Sequence, residues 1–411
     1  MMQLFSFRNL LTGMLAVTLP YFAYAIELSG VIDVRAQRED GERSWTQAAM
    51  GKTRYGDGSK LRLGQAILAG EVELSNSFSA VLVLDANDNR RNVVDVQSGW
   101  VAWNPVPSGP WKVRAKAGMF FLPVNEEIAY DRFTWTPTRT ISASGINSWI
   151  GEEFKTKGIE LSMTHRGRAS GSPHDLGITG AIFDGNDPAG ALLAWRGWSI
   201  GDRLSGASET LILADLPVYR AQGPINRQTR DMHVFREVDG RGGYYAGVNY
   251  SYADTLQLSL LHYDNRGDEL VVKGGQYSWA TKFNHAGVRL RPRGAWEYLF
   301  QYLEGRTGMG SGAVAINYRS WFALASRRLG PGNASVRYDR FRAREHDQIA
   351  ADPNGESGSA LALAYAWELR SDLSVVSEWL SVRSDRAARA LVGVAPRQSS
   401  TSITTSLRWQ F

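Results

Sequence analysis

The last ten residues, 402–411, constrain the fold most, because their polarity alternates and the chain ends on an aromatic residue. Alternate positions carry Ile403, Thr405, Leu407, Trp409 and Phe411, and the positions between them carry Ser402, Thr404, Ser406, Arg408 and Gln410. A period of two sends successive side chains to opposite faces of a strand. A soluble β-sandwich could bury such a strand, but this ending is typical of the closing strand of a transmembrane β-barrel, apolar toward lipid and polar toward a wet interior.

The N-terminus has the features of an export signal. Arg8 is the one charged residue among residues 1–25, an apolar stretch runs from Leu10 to Leu19, and Ala23-Tyr24-Ala25 is a small-x-small cleavage site. We therefore predict a signal peptide over 1–25 and a mature chain that begins at Ile26. The alternative is a membrane anchor, but the apolar stretch is short and interrupted.

Segments of about ten residues with alternating polarity recur from residue 27 to the end, with no linker and no composition shift. They predict one antiparallel transmembrane β-barrel domain over 26–411. The predicted strands are 27–36, 60–74, 77–85, 95–103, 110–119, 156–164, 175–183, 190–199, 206–215, 242–253, 255–263, 276–291, 294–304, 318–328, 332–344, 358–369, 372–384 and 398–411. In 276–291 the pattern slips phase near Asn284, which suggests a β-bulge.

The connections between these segments alternate in length, as they do in bacterial outer-membrane barrels, where periplasmic turns are short and external loops are long. Eighteen strands is an even number, as required, but 190–199 and 206–215 are weak. If both segments belong to one long external loop, the barrel has sixteen strands. The longest connection, 120–155, either folds into the barrel as a constriction or packs as a surface loop.

Cations alternate with apolar residues on several strands. Of 46 Lys and Arg residues, 38 are Arg. An Arg or Lys that faces lipid near the bilayer centre costs about 2–4 kcal/mol, so these side chains are expected to face the interior. The predicted pore-lining and anion-binding residues are Lys112, Arg114, Lys116, Arg35, Arg289, Arg337 and Arg408.

Guanidinium groups match the oxygens of phosphates and carboxylates, and rings of Arg and Lys line anion pores. The pattern therefore favours a water-filled channel for passive diffusion of small solutes with a preference for anions. Three readings stay open: a nearly unselective pore, a channel for a specific organic or sugar substrate, and a wall whose cations are neutralised by the carboxylates Asp33, Glu71, Glu73, Asp85, Glu160 and Asp339. The net charge is only +5.

The chain resembles the outer-membrane porins of the phosphate-selective O and P type. The resembling residues are Lys112-Val113-Arg114-Ala115-Lys116-Ala117-Gly118-Met119-Phe120-Phe121-Leu122-Pro123, Ser335-Val336-Arg337-Tyr338-Asp339-Arg340-Phe341, Glu378-Trp379-Leu380 and Phe411. The resemblance implies a homotrimer of largely sixteen-stranded pores, in which arginines guide anions toward lysines at a constriction. This chain has only 8 lysines, so we carry over anion conduction and not phosphate selectivity.

An enzymatic reading rests on Gly197-Trp198-Ser199-Ile200-Gly201, which matches the G-x-S-x-G pattern of hydrolases. That pattern works at a strand-turn-helix corner, whereas the residues after Gly201 read as a turn before another strand. An outer-membrane hydrolase is the less favoured alternative. The histidines are scattered and there is no cysteine, so we predict no catalytic residue, metal or cofactor. The expected partners are small anions and, in the bacterial outer membrane, lipid and lipopolysaccharide, but not nucleic acid.

Overall fold

The computed structural model describes residues 26–124, 126–128, 136–347 and 349–411. Within these ranges sixteen strands form one closed antiparallel barrel, which confirms the predicted fold class. The barrel strands are β1 (Ile26–Asp40), β2 (Gly58–Glu73), β3 (Phe78–Ala86), β4 (Val94–Trp103), β5 (Trp111–Phe121), β6 (Lys155–His165), β7 (His174–Asp184), β8 (Gly243–Tyr252), β9 (Leu256–Asp264), β10 (Lys282–Leu290), β11 (Trp296–Met309), β12 (Val314–Leu329), β13 (Gly332–Glu345), β14 (Glu356–Arg370), β15 (Leu373–Arg386) and β16 (Arg397–Gln410). The predicted signal peptide lies outside the described residues.

The two ends of the chain close the barrel. Strand β16 pairs with β1 from Gln410 opposite Val31 to Thr401 opposite Asp40. Leu407 and Trp409 are 47% and 42% exposed, whereas Ser406 is fully buried on the other face. The outward position of the apolar residues in the terminal strand is therefore confirmed. Closure leaves no free strand edge, so every strand can satisfy its backbone hydrogen bonds with two neighbours.

The outer face carries an exposed apolar and aromatic surface. On β11 an aromatic row points outward, and the rings of Trp296 and Tyr298 stack with centroids 5.7 Å apart. Farther along the wall, Trp321 contacts Phe300 and Tyr338 at ring distances of 6.4 and 5.6 Å. Exposed rings in this arrangement match the aromatic girdles of membrane barrels.

The connections at one end of the barrel are all short, whereas most of those at the opposite end are longer. The end formed by 74–77, 104–110, 166–173, 253–255, 291–295, 330–331 and 371–372 is called the turn end here. The opposite end, formed by 41–57, 87–93, 122–154, 185–242, 265–281, 310–313, 346–355 and 387–396, is called the loop end. One connection at the loop end is short, because β11 and β12 extend to a tight turn at 310–313.

The sixteen-strand alternative is correct, because 190–199 and 206–215 both belong to the connection 185–242. The expected bulge near Asn284 is absent: β10 pairs in unbroken register from Lys282 to Leu290. The apparent phase slip arises because Gln276–Tyr277 belongs to a separate two-stranded sheet with Val272–Lys273.

The described parts of the long connections contain two α-helices, α1 (Gly145–Glu153) and α2 (Ala191–Trp195). A second small sheet pairs Leu211–Ile212 with Asp231–Met232. Among the described residues, no helix combines the length and apolar character needed to cross a membrane.

Candidate functional site

Among the described residues, parts of two long connections enter the barrel from the loop end. The described residues 122–124, 126–128 and 136–154 of the connection from β5 to β6 are called the first inserted segment, and every residue of its helix α1 is buried. Residues 185–209, called the second inserted segment, begin the connection from β7 to β8, and α2 within it is also fully buried. The described residues of the predicted connection 120–155 are largely buried, and its role as a constriction stays a prediction. Loop insertion by the second segment was not predicted.

Helix α1 is fixed against the inner wall by polar contacts. Ser144 caps its N-terminus by accepting a hydrogen bond from the backbone N–H of Asn147, which satisfies one of the free donors of the first turn. The Asn147 amide donates to Gln301 on β11 at 2.6 Å, and the Gly145 N–H donates to Asp339 on β13 at 3.2 Å. These contacts hold the helix against one side of the wall.

Arg337 on β13 ties the wall to the first inserted segment. Its guanidinium lies 2.7 Å from Glu127 of the segment and 2.9 Å from Asp339 on its own strand. It also donates to Thr140 and Ser142, and its side chain is fully buried. A buried guanidinium needs a partner for its charge and for most of its N–H groups, and Arg337 has both.

Arg408 and Arg289 extend the contact to other strands. Arg408 lies 3.0 Å from Asp33 on β1 and donates to the carbonyl oxygen of Pro137 at 3.3 Å. Arg289 on β10 donates to the backbone carbonyl of Glu126. The first inserted segment is therefore held by arginines from three separated parts of the wall.

The second inserted segment is fixed by Asp202. Its carboxylate accepts from Arg35 on β1 and from Arg54 of the connection 41–57, each at 3.0 Å. Arg35 also pairs with Asp33 at 2.7 Å. Burial raises the pKa of Asp202, but the two guanidinium groups more than offset this effect, so the net pKa lies below its usual value.

The two inserted segments contact each other and form an apolar core within the barrel. The backbone N–H of Ser205 donates to the carbonyl oxygen of Gly151 at 3.0 Å. The ring of Trp149 packs against Trp198 at 5.5 Å and against Tyr318 of the wall at 4.9 Å. This part of the interior is a packed protein core and not open water.

Strand β5 differs from the walls around the inserted segments. Lys112 and Arg114 point inward and are exposed, and neither side chain forms an ion pair or hydrogen bond with another described residue. Lys116, nearer the loop end, lies 3.1 Å from Glu160 on β6 and is partly buried. The inward neighbours of Lys112 and Arg114 on β6 are Thr164 and Ser162. The turn-end half of the interior is therefore wet and basic along β5.

All seven predicted pore residues thus lie on the inner face, but in three settings. Lys112 and Arg114 are exposed to the interior. Lys116 and Arg289 are partly buried beside acceptors. Arg35, Arg337 and Arg408 are buried in ion pairs with carboxylates. The sequence contains no indication of the roles of Asp202 and Glu127. These residues reach the wall because of how their loops fold, and their spacing in the sequence does not show this. The buried tryptophans Trp195 and Trp198 were the available signal that 185–209 is not a surface loop.

Ser199 of the hydrolase-like pattern is buried, and its hydroxyl donates to Glu152 at 2.9 Å. Glu152 also pairs with Arg196. The preceding element is α2, and Ile200 forms a bridge with Thr53, so the strand-turn-helix corner of a nucleophile elbow is not present at this serine. Gly197 has a φ of 85°, and a side chain there would collide with Glu356.

One acidic group in the loops has the spacing of a cation site. Possible ligand oxygens of Asp187, Glu237 and Asp239 lie within 4.8 Å of one another. Burial raises the pKa of Asp187 to about 7. Asp187 accepts the backbone N–H groups of Val238 and Asp239, so local turn geometry accounts for the proximity.

Comparison of the sequence with protein-family models and with curated proteins found no match. Solved structures match over nearly the whole chain. The outer membrane channel DcaP of Acinetobacter baumannii superposes with a TM-score of 0.57 at 7% identity, covering 94% of this chain and 97% of that one. The anion-selective porin from Comamonas acidovorans gives 0.54 at 14% identity, covering 94% and 100%. Salmonella typhi OmpF, in complex with daunomycin, gives 0.51 at 10% identity, covering 94% and 97%.

At sequence identities this low, the similarity to these structures shows the fold alone. The chain has the sixteen-stranded barrel of outer-membrane porins.

Proposed function

We propose that the protein is a porin of the bacterial outer membrane, through which small solutes diffuse passively with a preference for anions. The observation that carries the proposal is the exposed, unpaired pair Lys112 and Arg114 on the inner face of β5, in a barrel whose other predicted cations lie beside acceptors. Unpaired cations in a narrow, low-dielectric passage raise the local concentration of anions. The solvent-exposed half of the interior lies at the turn end, and we propose that this end is periplasmic, because the periplasmic turns of such barrels are short.

The inserted segments are the proposed constriction. Both enter from the loop end and together fill part of the cross-section with buried side chains. A passage past them admits only small solutes. We propose no catalytic role for Ser199 and no specificity for phosphate, and membership in the phosphate-selective group remains a prediction.

The test is the reversal potential of purified protein in planar bilayers under a KCl gradient. We expect chloride to be favoured over potassium. Lys112→Glu combined with Arg114→Glu is expected to lower the chloride-to-potassium permeability ratio by about tenfold. The double variant leaves Lys116 in place, because that residue faces Glu160 and its reversal could impair folding. Adding Lys116→Glu gives the full reversal of the β5 cations.

The matched control places the same change of charge on the outer wall, with Arg319→Glu and Arg342→Glu, both exposed and outward. It is expected to leave the permeability ratio within about twofold of the unmodified protein. Equal shifts in both variants would contradict a role for Lys112 and Arg114 in the pathway.

A closed structural barrel is the second candidate, and the second inserted segment favours it, because it crosses the interior and is buried from Gly185 to Gly206. The two candidates differ in conductance. Single-channel steps in the unmodified protein support the porin. The closed barrel would be supported if the unmodified protein showed no conductance steps and Asp202→Asn, which releases the second inserted segment, did show them.

Assembly and export complete the proposal. One of the solved structures is described as the trimer form of in-vitro folded OmpT of Vibrio cholerae, with a TM-score of 0.51, and we propose a homotrimer here, to be tested by the mass of the cross-linked native protein. We also propose that residues 1–25 are removed on export. N-terminal sequencing of the membrane-extracted protein should begin at Ile26.

A further inference from the structure

The outer wall carries a group of cations at the loop end, on four neighbouring strands. We call it the loop-end basic patch, and its members are Lys282, Arg306, Arg319, Arg340, Arg342 and Arg344. Strand register places Lys282 opposite Arg306 and Arg319 opposite Arg342. Five of the six are exposed and Lys282 is half-buried.

These cations lack the partners that the inner wall supplies. Within the described ranges, none of the six cationic side chains forms an ion pair or a hydrogen bond, although Tyr318 and Trp198 donate to the backbone carbonyls of Lys282 and Arg342. Glu304 lies between them and accepts a hydrogen bond from Tyr302 at 2.6 Å, and Asp264 faces Lys282 at the edge of the patch. Like charges directly opposite each other destabilise a sheet. The two opposed pairs therefore cost free energy that a bound anion would recover.

The patch surrounds a recess of about 650 Å³. Five of its six cations line the recess, together with the carboxylate Glu304 and neutral polar side chains including Asn284 and Asn317. Guanidinium groups present paired N–H donors that fit two oxygens of one phosphate. A concave surface with several such forks suits a head group that carries more than one phosphate.

The height of the patch on the wall restricts the ligand further. Tyr302 and Trp321 face each other across β11 and β12, and such rings mark the membrane–water interface. Arg319 lies two residues beyond Trp321 toward the loop end, or about 7 Å along the strand. The patch therefore begins where lipid head groups begin, and the apolar surface below it is positioned to meet acyl chains.

We infer that the loop-end basic patch binds a phosphorylated glycolipid of the outer leaflet, namely the phosphate-bearing head of lipopolysaccharide. The inference rests on the outer-membrane location in the proposed function, but not on conduction. A second copy that met the patch across a two-fold axis would bring two such basic surfaces together, and they would repel each other; a heterologous contact between copies is an outcome of the test.

The experiment compares binding of lipopolysaccharide to the full chain in detergent, measured as tightly bound lipid phosphate per protein after washing. Arg319→Gln, Arg342→Gln and Arg344→Gln together are expected to weaken binding by at least about tenfold, since each removes charge-assisted hydrogen bonds to phosphate. A matched control removes three exposed cations near the turn end, with Arg293→Gln, Arg327→Gln and Arg370→Gln, and should change binding less than about twofold.

Two further probes separate the possible ligands. Dephosphorylated lipopolysaccharide should bind the unmodified protein at least about tenfold less tightly, and inorganic phosphate alone should not displace the lipid. Equal binding by the patch variant, equal binding of dephosphorylated lipid, or displacement by free phosphate would each overturn the inference. So would a change in cross-linked mass of the patch variant, which would assign the surface to contacts between copies. Conductance is not measured, so failure here is distinct from failure of the proposed channel.

Discussion

Arg337 and Arg340 lie three residues apart on β13, yet one faces inward and the other outward, and their surroundings differ completely. Arg337 is fully buried between Glu127 and Asp339, whereas Arg340 is exposed and forms no ion pair with a described residue. The same contrast holds for Arg35 against Arg319. On the inner wall, arginine side chains form ion pairs that anchor the inserted segments. On the outer wall at the loop end, arginine side chains have no partner in the described part of the chain and are free to bind another molecule.

The contrast follows from solvent. A guanidinium removed from water must recover its hydration from carboxylates and carbonyls, or the segment that buries it will not stay in place. An exposed guanidinium keeps its water and needs no protein partner. A paired cation therefore indicates a place where an inserted segment fills the barrel. An unpaired cation indicates a surface where another molecule can bind. Lys112 and Arg114 lie inside the barrel, but like the arginines of the outer wall they form no ion pair with a described residue.

The largest effect is expected from Asp202→Asn, which removes the carboxylate shared by Arg35 and Arg54. Loss of one partner of a buried ion pair costs about 3–5 kcal/mol. The free energy of unfolding should fall by that amount in urea titrations of protein refolded into lipid vesicles, and single-channel conductance should rise as the second inserted segment is released.

The control for this change is Asp215→Asn, which breaks an exposed pair with Arg220. Exposed pairs contribute about 0–1 kcal/mol. If the two variants lost the same stability, Asp202 would not anchor the segment and the contrast between buried and exposed pairs would fail.

The second expected effect is a pH dependence that belongs to Asp202. Its pKa is lowered in the folded protein, so its stabilising contribution is full above the unfolded carboxyl pKa of about 3.9 and is lost as pH falls toward the folded value. The difference in unfolding free energy between the unmodified protein and Asp202→Asn should therefore shrink below about pH 4. A difference that stayed constant down to pH 2 would contradict the charge of Asp202 as its cause.

The third effect compares the two arginines of β13 directly. Arg337→Lys keeps the charge but loses the fork that reaches Glu127, Asp339, Thr140 and Ser142, and should cost about 1.5–3 kcal/mol. Arg340→Lys should change stability by less than about 0.5 kcal/mol. Equal costs for the two variants, measured by the same urea titration, would show that burial does not distinguish these positions.

Alternating polarity was enough to predict the barrel, its closing strand and which wall residues face inward, because the period of two is a local property of each strand. The terminal strand is the clearest instance, with Leu407 outward and Ser406 inward. The strand count was ambiguous only where 190–199 imitated a strand. That segment is apolar because it is buried inside the barrel. A buried loop and a buried strand have the same apolar composition, so composition did not distinguish them.

The anchoring of the inserted segments could not be predicted from the sequence. Asp202 lies 167 residues from Arg35, and Glu127 lies 210 residues from Arg337. Nothing in their local pattern distinguishes these carboxylates from those in exposed loops. Inward orientation was therefore predictable for Arg35 and Arg337, whereas their exposure to the pore was not, since exposure depends on which loop covers them.

The smallest effect is expected from Ser199→Ala, which removes a single hydrogen bond to Glu152. Because Glu152 keeps Arg196 as a partner, the loss should be about 0.5–1.5 kcal/mol. Ester hydrolysis by the purified protein should be the same before and after the change. A hydrolytic rate that disappears with the Ser199 hydroxyl would instead make this serine a nucleophile, and it would follow that the second inserted segment is built around chemistry and not only around the filling of the barrel.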